Sequence, residues 1–346
     1  MRSLLPFIAA ATHARAAASN VTVWNVVWVG GQSNSVATNS QTSGYPTWPE
    51  DPRIQMYCGT GNRCTNNTFA TAAVPIYNEL NVGFSLTYAN LLLETLPPNE
   101  GVILVNTGVG GTGFLCDNEW IVPNGPLATR SVAVVQALNA ALPAALGGAF
   151  HMHSFLWHQL ECDGGDNRNG YSADYCTYLM PDLSALIDFF RKSFPNATNS
   201  TPFIAGGGLP YWVENVPKNT AANVSAAIVA LNTSRVCTGT ASSSIFPAFN
   251  PDGTPAGDPK YRSGASGMVR HLQCAPTCFM SVTRPPLTSR SAPLLQVIHF
   301  DATQQFFFGF EYWNAYRRAL QVTSVVPSAV TAACGAPVQS PVASCG

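Results

Sequence analysis

Short runs of apolar, mostly β-branched or aromatic residues punctuate the chain, separated by longer stretches in which apolar positions recur at helical spacing. The short runs predict strands and the longer stretches predict helices. Strands fall at 21–29, 54–57, 102–106, 149–157, 202–205 and 294–299; helices fit 85–96, 131–146, 173–194, 221–231 and 303–320. Strands that alternate with helices in this way predict an α/β fold, a three-layer α/β/α sandwich around a central parallel sheet.

No shift of composition divides the series. Residues 19–325 therefore read as one domain, large enough to bury a sizeable core, with a Pro/Ala/Ser-rich tail over 326–346. The stretch 238–290, rich in Pro, Gly and Ser, reads as a long loop covering one end of the sheet. Residues 1–18 combine Arg2, an apolar stretch over 4–11 and small-residue A-x-A sites near Ala14 to Ala18, the pattern of a secretory signal. Nothing else approaches the roughly 18 uninterrupted apolar residues of a membrane span.

Charged side chains make up 10% of the sequence, with 17 basic against 18 acidic, so neither a nucleic acid nor an anionic membrane is implied as partner. Ten cysteines are an even number suited to structural disulfides, with Cys58–Cys64 and Cys334–Cys345 close enough in sequence for small loops. Cys274 and Cys278 lack a second pair at zinc-ligand spacing, and His151 and His153 lack a third ligand, so no metal is implied. Glycosylation sequons start at Asn20, Asn66, Asn196, Asn199, Asn223 and Asn232. Together these features point to a secreted, extracellular glycoprotein.

Three stretches put polar residues at carboxyl ends of predicted strands, where open α/β sheets bind ligands. In "VVWVGGQSN" an apolar strand breaks at Gly30-Gly31 into Gln32-Ser33-Asn34, which sets a serine hydroxyl at the sheet edge and its N–H where an oxyanion could be held. In "FLWHQLECD" a strand ends in His158, Gln159, Glu161 and Asp163, an oxyanion donor type beside carboxylates able to orient a histidine. In "LLQVIHFDATQQFFFGF" a strand ends at His299, placed to act as a base. A fourth stretch, "GVGGTG" at 108–113, fits a dinucleotide fingerprint by letter but precedes "FLCDNEW" rather than an apolar helix and lacks the acid about 20 residues on, so no cofactor is implied. No G-x-S-x-G elbow occurs.

Taken together, the chain resembles the SGNH-type hydrolases, specifically the branch holding the sialate O-acetylesterases and the acetylxylan esterases of carbohydrate esterase family six. Gly31-Gln32-Ser33-Asn34 matches the family's G-Q-S-N/M block, Gly110-Gly111-Thr112 its G-G-T loop, and Trp157-His158-Gln159 with Glu161 and Asp163 its W-H-Q-G-E-x-D block, with His299 before a closing helix. Order and spacing agree over about 270 residues. The resemblance implies a flavodoxin-like fold and an esterase that removes O-acetyl groups from carbohydrate, with Ser33 as nucleophile and His299 as general base. The Ser33 N–H, Gly110, Gly111 and Gln159 would surround the oxyanion, with Gln32, Asn34, His158 and Asp163 in support.

Two departures from the family leave a choice open. The position three residues before the histidine, an Asp in many relatives, is Gln296, and Leu160 and Cys162 stand where the block has small residues. Glu161 is the favoured partner of His299, Asp163 the alternative, and a Ser–His dyad the third possibility. The substrate implied is acetylxylan or a similar plant-type polysaccharide; the rival readings are a sialate O-acetylesterase and a non-catalytic glycan-binding protein that kept the fold.

Overall fold

The computed structural model describes residues 20–37, 48–59, 67–73, 83–114, 116, 118–159, 161–165, 179–210, 213, 225, 228–229, 235–245, 300 and 302–321. The predicted strand at 294–299, the leader, the tail and most of the predicted helix at 221–231 lie outside these residues.

The β-branched and aromatic run "VWNVVWVGG" forms β1 (Val23–Gly31), nearly every residue of which is buried. Burial on both faces is what a central parallel strand requires. Around it lie β2 (Ile54–Cys58), β3 (Thr68–Thr71), β4 (Glu100–Asn106), β5 (Ala149–His158), β6 (Phe203–Gly206) and β7 (Thr238–Ala241), in the spatial order β3-β2-β4-β1-β5-β6-β7. All neighbours pair in parallel except β2 with β3, an antiparallel edge. Helices α1 (Phe84–Leu93) and α5 (Ala302–Ala319) cover one face together, while α2 (Pro126–Ala145) and α4 (Leu179–Ser193) cover the other; a short α3 (Glu161–Gly165) follows β5. The result is the α/β/α sandwich expected from the sequence.

Aromatic packing fixes the core under the carboxyl end of β1. Trp28 is fully buried and contacts Trp120, Phe155, Trp157, Phe190 and Phe194 at ring-centroid distances from 4.7 to 6.4 Å. On the other face α5 crosses α1 at Gly309, where an added Cβ would lie 2.4 Å from Thr87 Cβ and 2.5 Å from the Phe84 carbonyl. That approach lets Phe84 and Tyr312 stack with ring centroids 4.1 Å apart.

Several elements differ from the sequence expectation: β3 and α3 were not expected at all. Residues 238–241 are a buried parallel strand rather than the start of a loop. Helix α2 begins at Pro126, five residues ahead of the predicted 131, with proline in its first turn where the missing N–H costs no hydrogen bond.

Candidate active site

Three central strands, β1, β4 and β5, deliver the polar stretches to one end of the sheet. Parallel register sets Gly31 opposite His158, and the Gln32 N–H continues the ladder to the His158 carbonyl at 2.9 Å. Gly31 turns the chain there with φ +113°, and an added Cβ would meet the His158 carbonyl oxygen at 1.9 Å. The turn that follows carries Ser33 and is closed locally by Ser35, whose hydroxyl donates to the Gln32 carbonyl at 2.6 Å. From β4, Asn106 donates to the Ser35 carbonyl at 2.7 Å and accepts from the Gly108 N–H at 2.7 Å, tying the glycine loop to the serine turn. A Cβ on Gly110 would lie 3.6 Å from Ser33 Cβ, so this loop runs over the serine.

The hydrogen-bond accounting at this point is uneven. Ser33 is 7% exposed, and among the described residues neither its hydroxyl nor the backbone N–H groups of Ser33, Gly110 and Gly111 have a hydrogen-bond partner. Ser33 is buried, Gly111 half-buried and Gly110 exposed; N–H groups left unspent beside a serine are what binding of a developing oxyanion requires.

Glu161, at the first turn of α3, gathers the serine turn from below. Its carboxylate accepts from the side-chain amides of Gln32 and Asn34 and lies 3.3 Å from His158 Nε2. Burial pushes its pKa up, but the His158 hydrogen bond and charge and the Asn34 amide outweigh that and bring it down to about 2. His158 in turn has Nδ1 3.3 Å from the Tyr312 hydroxyl, which donates to the Trp157 carbonyl at 2.7 Å. Phe84, Phe300 and Phe308 surround the imidazole. Burial and the Glu161 charge raise the Tyr312 pKa, keeping its hydroxyl protonated.

Gln159 and Asp163 lie on the side of the glycine loop. The Gln159 amide nitrogen donates to the Thr112 carbonyl at 2.8 Å and to Asp163 Oδ2 at 3.0 Å. Both its hydrogens are thereby spent, on Thr112 and Asp163. A disulfide between Cys116 and Cys162 fastens α3 to the segment after the glycine loop, and Cys58 and Cys237 are also disulfide-bonded.

Of the expected site residues, Gln32, Ser33, Asn34, Gly110, Gly111, His158, Gln159, Glu161 and Asp163 converge; His299 and Leu160 lie outside the described residues. The residue after the histidine is placed: the Phe300 N–H donates to Asn34 Oδ1 at 3.1 Å, and Gln305 donates to the Asn34 carbonyl at 3.2 Å. Tyr312, Gln305 and the Cys116–Cys162 bond were not anticipated; Tyr312 was hidden in an all-round aromatic helix pattern, and no local signal marked the other two.

The remaining motifs have structural partners. His153 bonds Ser154 and Tyr316 at 3.1 and 3.0 Å, and His151 bonds Asn25 at 3.0 Å; no metal-binding cluster occurs among the described residues. Between β4 and α2 the described residues of "GVGGTG" and its continuation form turns rather than the helix a dinucleotide would need.

No protein-family model matches the chain, and no curated protein matches it. Several solved structures match the chain, two of which follow. NanS aligns over 86% of this chain and 98% of its own, with 18% identity and a TM-score of 0.51. A protein of Arabidopsis thaliana aligns over 85% of this chain and 97% of its own, with 15% identity and a TM-score of 0.52. Both likenesses are of fold, and they agree with the α/β/α sandwich around a largely parallel sheet.

Proposed function

We propose that the protein is a serine esterase that removes O-acetyl groups from carbohydrate through an acetyl-serine intermediate. The observation that carries this reading is the Ser33 turn roofed by the glycine loop, with the N–H groups of Ser33, Gly110 and Gly111 unspent. Ser33 Oγ attacks the ester carbonyl while His299 takes its proton. The carbonyl electrons move onto oxygen, which the three backbone N–H groups receive; each such donor is worth roughly 10²–10³ in rate. The intermediate then collapses, the sugar oxygen leaves with the proton held by His299, and water repeats the sequence to release acetate.

Glu161 belongs to this reading through the turn it holds, since its described partners are Gln32, Asn34 and His158. Asp163 supports the loop through Gln159. Replacing Ser33 by Ala is expected to abolish acetate release from p-nitrophenyl acetate and acetylated xylan, measured by initial rate; retained activity refutes the nucleophile. Acetylxylan or a similar polysaccharide is the favoured substrate. A sialate ester is the second reading, and parallel assays on acetylated xylan and acetylated sialosides separate the two.

Secretion belongs to the same proposal. Disulfides at Cys116–Cys162, Cys58 and Cys237 suit an oxidising compartment, and the sequon residues Asn20, Asn196 and Asn199 are exposed. No helix among the described residues is long and apolar enough to cross a membrane.

A further inference from the structure

We infer that Gln159 accepts a hydrogen bond from the substrate, and so selects esters that carry a free hydroxyl beside the acyl group, as a partly acetylated sugar does. The inference rests on the esterase reading above and assigns Gln159 the opposite polarity from an oxyanion donor.

An amide side chain has two N–H donors and one carbonyl acceptor. At Gln159 both donors are spent, one on the Thr112 carbonyl at 2.8 Å and one on Asp163 Oδ2 at 3.0 Å. Turning the amide over would press its oxygen against two acceptors, so this orientation is fixed. What remains is Oε1, which is buried and accepts no hydrogen bond from any described residue. A buried carbonyl without a donor is uncommon and costly. This one belongs to a side chain that joins the end of β5, paired with the serine strand through Gly31 and His158, to the glycine loop over Ser33.

Gln32, the residue before Ser33, repeats the arrangement independently. Its Nε2 donates to Glu161, which fixes the amide, and its Oε1 is buried without a donor among the described residues. Two oriented acceptors, one on the residue before the serine and one on a side chain tied to the glycine loop, suit a ligand dense in hydroxyl groups. The hydroxyl neighbouring an ester on a sugar ring supplies such a donor, whereas p-nitrophenyl acetate has none.

The test uses the full chain and three esters: a methyl xyloside monoacetate with a free hydroxyl next to the ester, its analogue with that hydroxyl replaced by hydrogen, and p-nitrophenyl acetate. The unmodified protein is expected to prefer the hydroxyl-bearing ester over the deoxy ester by ~10–100-fold in kcat/KM, because a buried acceptor rejects a ligand that cannot satisfy it. In Gln159→Leu that preference is expected to collapse towards one, with a loss on the hydroxyl-bearing ester at least tenfold greater than on p-nitrophenyl acetate. Equal losses on all three esters would overturn the inference, since an oxyanion donor acts on every ester. Absence of a preference in the unmodified protein would overturn it too, however well the variant folds. Failure of the esterase reading looks different: hydrolysis that survives Ser33→Ala.

Discussion

Gly31 illustrates how little freedom single residues have where the strand meets the site. Its backbone lies at φ +113° and its Cβ position is occupied by the His158 carbonyl. Gly31→Ala is therefore expected to cost at least ~2–3 kcal/mol, measurable by denaturant titration, and to lower acetate release by displacing the Ser33 turn. Glu161 makes the complementary case for charge. Glu161→Gln keeps the volume but turns an amide N–H towards partners that are themselves donors, and breaking a buried charged contact costs about 3–5 kcal/mol; a large drop in melting temperature together with lost activity is expected. Its carboxyl lies at about 2 against an ordinary 4.5, so the stability it adds is present above pH 4.5 and is lost as pH falls towards 2. At this scale the sequence singled out residues that the fold brings together, but not the bonds among them. Ser33, Gln159 and Glu161 stood out because they end apolar strands, but the grip of Glu161 on Gln32 and Asn34 depends on β1 and β5 lying side by side in register. Nothing within either stretch encodes that pairing.

Among the elements, β1, β4 and β5 were legible because strands buried on both faces must be long apolar runs. The strands β3, "TFAT", and β7, "TGTA", were not: four residues each, without such a run, they are strands because β2 and β6 offer them an edge. Helix α3, "ECDGG", is equally invisible, since five polar and glycine residues carry no period. So short a helix cannot hold itself, and the Cys116–Cys162 bond supplies the tether. The bond spans 46 residues of sequence; replacing both cysteines by serine is expected to cost about 4 kcal/mol in the chain-entropy account. Thermal melting reports that loss, and a larger fractional loss of acetate release than Ser substitution elsewhere in the chain would show that α3 has shifted.

Across the whole molecule, two buried groups, His153 on β5 and Glu161 just after it, set the acid limit of stability together. His153 is buried between Ser154 and Tyr316; burial, and then the charge of His151, lower its pKa from 6.5 to about 3. The unfolded chain takes up a proton at His153 below pH 6.5 and the folded chain does not, so stability is full above that pH and falls as the pH drops towards 3. The slope approaches ~1.4 kcal/mol per pH unit, the value of one proton. Unfolding titrations across this range should show it, and His153→Gln should flatten the upper part of the curve while leaving the Glu161 portion below pH 4.5. The aromatic core gives these experiments their own readout. Trp28, Trp120 and Trp157 lie within 6.4 Å of one another, fully buried, with Trp28 on the strand that delivers Ser33. Indoles held so close couple their electronic transitions, so the protein carries an optical gauge of the sheet end at Ser33: a far-ultraviolet dichroism couplet that fades when the Ser33 strand loosens, before any label is attached.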